Sequence, residues 1–147
     1  MADRPAVTVA AVVERGGSFL LVEEHTQRGL LLNQPAGHLE AGESLVAAAA
    51  REALEETAWE FAPRHLVGIY RWKPESAAGY VRFAFCGDLG RHHPGRALDT
   101  GIVRAVWLTP DEVRACRERH RSPLVERCMD DYLAGRRTPL DVLADCG

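Results

Sequence analysis

Residues 44–57 of this 147-residue chain, SLVAAAAREALEET, join an alanine-rich, helix-forming composition to three glutamates at helical spacing. Ser44 is placed to cap the N-terminus with its hydroxyl. At about 100° per residue, Glu52, Glu55 and Glu56 fall on one face because they stand three and four positions apart. Val46, Ala50, Ala53, Leu54 and Thr57 gather on the roughly opposite face. Their mostly small side chains predict a helix lying close against a sheet, acid side outward.

The rest of the chain supplies that sheet. Val7, Val9, Ala11 and Val13 alternate with Thr8, Ala10 and Val12, and Gly16-Gly17 turns the chain into a second apolar run over 19–22. A polar loop through Arg28 then leads to Asn33-Gln34-Pro35-Ala36-Gly37 and the helix. Strand-like runs follow over 66–72 and 80–86, parted by a turn at Pro74-Glu75-Ser76. Another covers 102–108, after a loop rich in Gly, His, Pro and Arg over 90–101. Thr109 caps a helix that opens with Pro110, Asp111 and Glu112, where the dipole favours anions. A last helix is predicted over 123–134, capped by Ser122 and stopped by Gly135. Strands and helices mixed at hairpin-like spacings predict an α/β (α+β) fold, a mixed β-sheet sandwiched between helices, in one domain over 1–147.

Eighteen basic against twenty-one acidic residues give a net charge of -3, a poor footprint for long nucleic acid. A small ligand is the expected partner, and acidic neighbours make the basic run RACRERHR (114–121) a solvated helix face. No apolar stretch reaches the length of a membrane span or a signal peptide, so neither a membrane partner nor export is expected. Cys86, Cys116, Cys128 and Cys146 form no CxxC pair, which predicts reduced thiols and a cytoplasmic location. His92-His93 reads as loop rather than metal site.

The chemistry concentrates on the acidic helix. Two negative charges ~5.5 Å apart repel by about 3 kcal/mol at an effective dielectric of ~20, so the cluster needs compensation. Arg51, four positions before Glu55, supplies part of it, and a hard divalent cation such as Mg²⁺ or Mn²⁺ is the better match to three carboxylates. On the 80–86 strand, Tyr80, Arg82, Ala84 and Cys86 share one face and Val81, Phe83 and Phe85 the other. An arginine there needs a partner, either a substrate phosphate held by its planar fork or a structural carboxylate. Trp72 and Tyr80 are candidates to stack on a pyrimidine ring or to fill the core. Gln34 and His38, at the entrance to the acidic segment, suit substrate contact or turn stabilisation.

Over residues 37–59 the chain resembles the signature of the Nudix hydrolases: a glycine, five residues, Glu, seven residues, then Arg-Glu-U-x-Glu-Glu-x-Gly-U, with U bulky and apolar. Gly37, Glu43, Arg51, Glu52, Glu55, Glu56 and Trp59 match. Ala53 is smaller than the usual apolar residue, and Ala58 replaces the glycine, which predicts a helix ending by a different turn. The resemblance implies the Nudix fold and metal-dependent hydrolysis of a phosphoanhydride in a small-molecule substrate. By that carry-over Glu52, Glu55 and Glu56 hold Mg²⁺ or Mn²⁺, with the Gly37 carbonyl as a further ligand. Glu43 and Arg51 orient the cluster, and the base is either Glu52 or an acid from another loop. Nudix enzymes often draw another acid from the loop before the last sheet strand. There Asp99 is the candidate, Gly101 standing where an acid is usual.

The stretches VTVAAVV, NQPAGHLEAGESLVAAAARE, RSPLVE and YLAGRRTPL look similar to the NudJ-type phosphatase subgroup. That likeness implies nucleoside di- and triphosphates, or the pyrophosphate ester of the thiamine precursor hydroxymethylpyrimidine, as substrates, with orthophosphate released by a monomer or homodimer. The rivals are a nucleoside triphosphate or nucleotide-sugar pyrophosphohydrolase and a non-catalytic Nudix-fold sensor. A sensor is expected to have lost a metal-holding carboxylate, and all three are present.

Overall fold

The computed structural model describes residues 4–75 and 77–147; Ser76, in the expected 74–76 turn, lies outside the described residues. Nine strands form two sheets among the described residues: β1 (Ala6–Ala11), β2 (Glu14–Arg15), β3 (Ser18–Thr26), β4 (Gly29–Asn33), β5 (Ala36–His38), β6 (Trp59–Trp72), β7 (Tyr80–His92), β8 (Ile102–Leu108) and β9 (Thr138–Pro139). The first sheet runs β5-β1-β7-β6-β9, with β1 and β7 parallel and the other neighbours antiparallel. In the second, β3 is the central strand, flanked by β2 and β4 along the sheet and by β8. The helices are α1 (Leu45–Thr57), α2 (Pro110–Ala115) and α3 (Leu124–Leu133).

The alternation along β1 decides where α1 and α3 go. Val9, Ala11 and Phe85 pack with Ala48, Ala49 and Ala53 of α1, while Ala10, Val12 and Ala84 pack with Val125, Cys128 and Met129 of α3. The first sheet therefore lies between the two helices, as the α+β reading expects, and each fully buried Val, Leu or Met contributes ~1.5–3 kcal/mol. Ser44 caps α1 by accepting the Ala47 N–H, and Thr109 and Glu112 form a reciprocal capping box on α2.

Several expectations are corrected. Two sheets replace the single one. Strand β6 starts at Trp59 rather than 66, because irregularities near Phe61 and Pro63 let a proline sit within a paired strand. Its partner β7 reaches His92, and Gly87 opposite Pro63 is required there, since a Cβ would collide with the Ala62 carbonyl. His92, expected in the loop, ends β7 and stacks on Trp59, and His93 bonds Glu60. The last helix is capped at Pro123, and the Ser122 hydroxyl accepts the Leu124 N–H instead.

Helix α1 is turned differently from the expected orientation. Its buried residues are Ala48, Ala49, Glu52, Ala53, Glu56 and Thr57, whereas Val46, Ala50 and Leu54 are only partly covered. The helix packs through its alanines, and the neighbouring glutamates turn inward toward a cleft instead of outward to bulk water. Nor does Ala58 avoid the left-handed turn: it adopts φ 63°, and its N–H donates to the Leu54 carbonyl. That conformation costs an L-residue ~1–2 kcal/mol, offset here by burial of Ala58 and closure of the helix. A β-branched side chain adds strain at positive φ, so Ala58→Val is expected to lower unfolding free energy by about 2 kcal/mol in denaturant melts.

Candidate active site

Strand β5 brings Gly37 close against the end of the Glu52 side chain on α1. A Cβ on Gly37 would collide with the Glu52 carboxylate. Gly37→Ala should therefore leave a folded protein whose Glu52 is displaced, with a rate loss of about 10²-fold in steady-state kinetics and a nearly unchanged melt.

Arg51 gathers the acids of the segment. Its Nε and Nη2 donate to the two oxygens of Glu43 (2.9 and 2.7 Å), and Nη1 donates to Glu52 Oε1 (2.7 Å) and Glu55 Oε1 (3.0 Å). A further Nη2 bond reaches the His38 carbonyl at 3.1 Å. The hydrogen bonds from Arg51 hold the Glu43 carboxyl below the usual range. Arg51 itself is held firmly protonated by Glu43 and Glu52. Glu43 and Arg51 thus form a two-point, charge-assisted pair.

Glu52 and Glu56 are 7% and 8% exposed. Burial raises Glu52 above the ordinary glutamate range against the opposing pull of Arg51, and the charges of Glu55 and Asp99 add to it. Burial likewise pushes Glu56 up to about 9, with the Glu52 and Glu24 carboxylates adding to it and the Ala36 N–H, bonded to Oε1 at 3.0 Å, opposing it. Among the described residues no arginine, lysine or histidine pairs with Glu56. No three acidic, imidazole or thiol groups there converge as a ready-made cage, since Arg51 bridges Glu52 and Glu55. The donor chemistry fits a hard divalent cation, which would supply the positive charge that Glu56 lacks.

Glu52 and Glu56, but not Glu55, open onto a cavity of about 1380 Å³ that Gly37, His38, Asp99, Trp72, Tyr80 and Arg82 also line. Asp99 is tied to α1 by its N–H bond to the Glu55 carbonyl (2.9 Å). Trp72 and Tyr80 make an edge-on pair with centroids 5.6 Å apart, and both pack on the core as well as facing the cavity. Arg82 is 1% exposed, and of its two expected partners the structural carboxylate is ruled out among the described residues. It meets no carboxylate among the described residues: Nη1 donates to Gln34 Oε1 (2.8 Å) and Cys128 Sγ (3.8 Å), and Nη2 to Asn33 Oδ1 (3.0 Å). Gln34 is buried behind it, its amide also donating to the Val125 carbonyl (2.7 Å). Gln34 thus supports Arg82 and is not among the cavity-lining residues.

Asn33 and Glu24 line the cavity and were not singled out from the sequence. Asn33 carried a signal, a polar residue closing Leu30-Leu31-Leu32. The basic run, expected as a solvated helix face, is corrected: α2 stops at Ala115, a 3-10 turn covers Arg117–Arg119, and Arg117 and Arg121 face the cavity. The parallel bridge Leu32↔His120 brings that segment in.

Residues 2–128 match the family described as the NUDIX domain. The chain is 40% identical to the protein named Phosphatase NudJ from Escherichia coli (strain K12) over 142 residues, 97% of this chain and 92% of that protein. A solved NUDIX hydrolase from Nitrosomonas europaea is 52% identical, covers 97% of both chains and superposes with a TM-score of 0.94. A MutT NUDIX hydrolase from Burkholderia pseudomallei, 15% identical, shares the fold at a TM-score of 0.73 over 87% of this chain and 98% of its own. With the family match covering most of the chain and the acidic segment intact, this protein belongs to the Nudix hydrolases.

Proposed function

We propose that the protein is a Mg²⁺- or Mn²⁺-dependent phosphatase, one domain over 1–147, that removes terminal orthophosphate from nucleoside di- and triphosphates or from hydroxymethylpyrimidine pyrophosphate. The observation that carries this reading is a single cavity with buried carboxylates and Arg82 along its walls and an aromatic pair beside the arginine. Such a cavity suits a substrate that is anionic at one end and flat and apolar at the other. The likeness to proteins named Phosphatase NudJ supports orthophosphate as product. Free thiols at all four cysteines agree with a reducing cytoplasm. The chain acts as a monomer or homodimer, without nucleic acid or membrane.

Glu52, Glu55, Glu56 and the Gly37 carbonyl would hold the ion. When bound, it neutralises the polyphosphate and acts as a Lewis acid at the scissile group. The remaining work falls to the chain. Arg51 orients Glu52 and Glu55, leaving Glu52 Oε2 free of the arginine. That oxygen takes the proton of the attacking water, with Asp99 as the second acid on the cavity wall. Trp72 and Tyr80 receive the ring, and His38 borders the phosphate end. A substrate panel read by separate orthophosphate and pyrophosphate assays tests this. Orthophosphate is expected from a triphosphate and from the matching diphosphate. Pyrophosphate as the sole early product from the triphosphate would overturn the phosphatase reading and leave the family membership untouched.

A further inference from the structure

Arg82 presents a buried donor without a partner. Its Nε is the one buried side-chain nitrogen or oxygen among the described residues that makes no hydrogen bond, although the residue lines the cavity. The guanidinium is nearly fully buried, and its partners Asn33, Gln34 and Cys128 are neutral acceptors. A cation removed from water without a counter-charge is expensive, and its orientation by two side-chain amides costs further rotamer freedom. The arginine satisfies the buried side-chain oxygens of Asn33 and Gln34, but its charge meets no counter-charge and its Nε no acceptor among the described residues. A ligand anion arriving at Nε would compensate both.

The strand register shows where that anion would sit. His38 on β5 pairs with Thr8 on β1, and Thr8 pairs with Arg82 on β7, so the three follow one another across the sheet. Gly37, beside His38, abuts Glu52, whereas Tyr80 lies two residues from Arg82 on the same strand face and pairs with Trp72. All of these residues line the same cavity. The order is therefore carboxylates, arginine, aromatic pair.

We propose that Arg82 is a substrate-positioning residue that donates from Nε to the phosphate retained by the leaving product, the one next to the organic group, while the terminal phosphate lies over the carboxylates. This rests on the phosphoanhydride-hydrolase reading above and assigns the inner phosphate its own subsite. A diphosphate seated in that order presents its outer phosphorus to the acids, and the organic monophosphate stays with Arg82; a triphosphate leaves the organic diphosphate there, held by the same inner phosphate.

CMP and cytidine, titrated in excess chelator, test the subsite without metal or turnover. Wild type is expected to bind CMP at least tenfold more tightly than cytidine, and Arg82→Gln to erase that preference while changing cytidine affinity less than twofold. An equal loss for both probes would mean that the arginine reads the ring, and an undiminished preference in a folded variant would make it structural; either result overturns the proposal. Should the variant fail to fold, the Arg82 Nε–H resonance of wild type decides: it is expected to move with CMP and not with cytidine, and any other pattern refutes the subsite. Orthophosphate assays on wild type report separately on the underlying reading, which stands or falls on turnover alone.

Discussion

Glu56→Gln is expected to make the metal-free protein more stable and the enzyme far less active. In the folded chain burial pushes Glu56 up to about 9, while the unfolded chain ionises near the ordinary ~4.3. The folded state therefore holds a proton that the unfolded state releases. The stability tied to it is fully present below the unfolded value and is lost as pH rises toward about 9. Glutamine cannot ionise, keeps an oxygen for the Ala36 N–H and removes that loss. In chelator at pH ~8 the variant should gain about 1–3 kcal/mol in denaturant melts, the worth of one to two pKa units, and the gain should vanish near pH ~4. Its turnover should fall about 10²–10³-fold, the scale of losing a transition-state stabiliser. A variant less stable than wild type at both pH values, or fully active, would refute the role given to Glu56.

Arg51→Met should lose stability and activity together. It removes every donor that Glu43, Glu52 and Glu55 share, within a network only partly open to solvent. A loss of about 2–3 kcal/mol is expected, between the values for exposed and buried pairs, with a rate loss of about 10²-fold as Glu52 and Glu55 lose their orientation. The sign of the pH dependence is opposite to that of Glu56. The lowered carboxyl of Glu43 contributes stability above its unfolded value, and this contribution is lost as pH falls through the folded value. The gap between wild type and variant should therefore narrow below pH ~4. A double-mutant cycle with Glu43→Gln in urea checks the coupling: additive losses would show that the pair does not act as a unit.

The clustering of Glu52, Glu55 and Glu56, the Glu43–Arg51 pair and the sandwich of one sheet between two helices were legible in the sequence, because helical spacing and strand alternation are local. The inward turn of Glu52 and Glu56 was not. Hydrophobic patterning places carboxylates outside unless a cleft opens beside the helix, and that cleft is made by β5, β7 and the segment after α2. The same holds for Arg117 and Arg121, brought in by a bridge between residues 32 and 120. Ala58 shows the reverse case: its propensity argued against a left-handed turn, and tertiary packing overrode it. Arg82 stood out as an anomaly in its strand, but its neutral partners Asn33 and Gln34 lie far away in sequence.

The central claim, that water attacks a terminal phosphorus at the carboxylates of α1, meets its most direct test in hydrolysis carried out in heavy-oxygen water with mass spectrometry of both products. With Mg²⁺ and a nucleoside diphosphate, one solvent oxygen should appear in the released orthophosphate and none in the nucleoside monophosphate, and Glu56→Gln should suppress the labelled product about 10²-fold or more. Label in the monophosphate instead, or equal labelled orthophosphate from wild type in excess chelator, would contradict it.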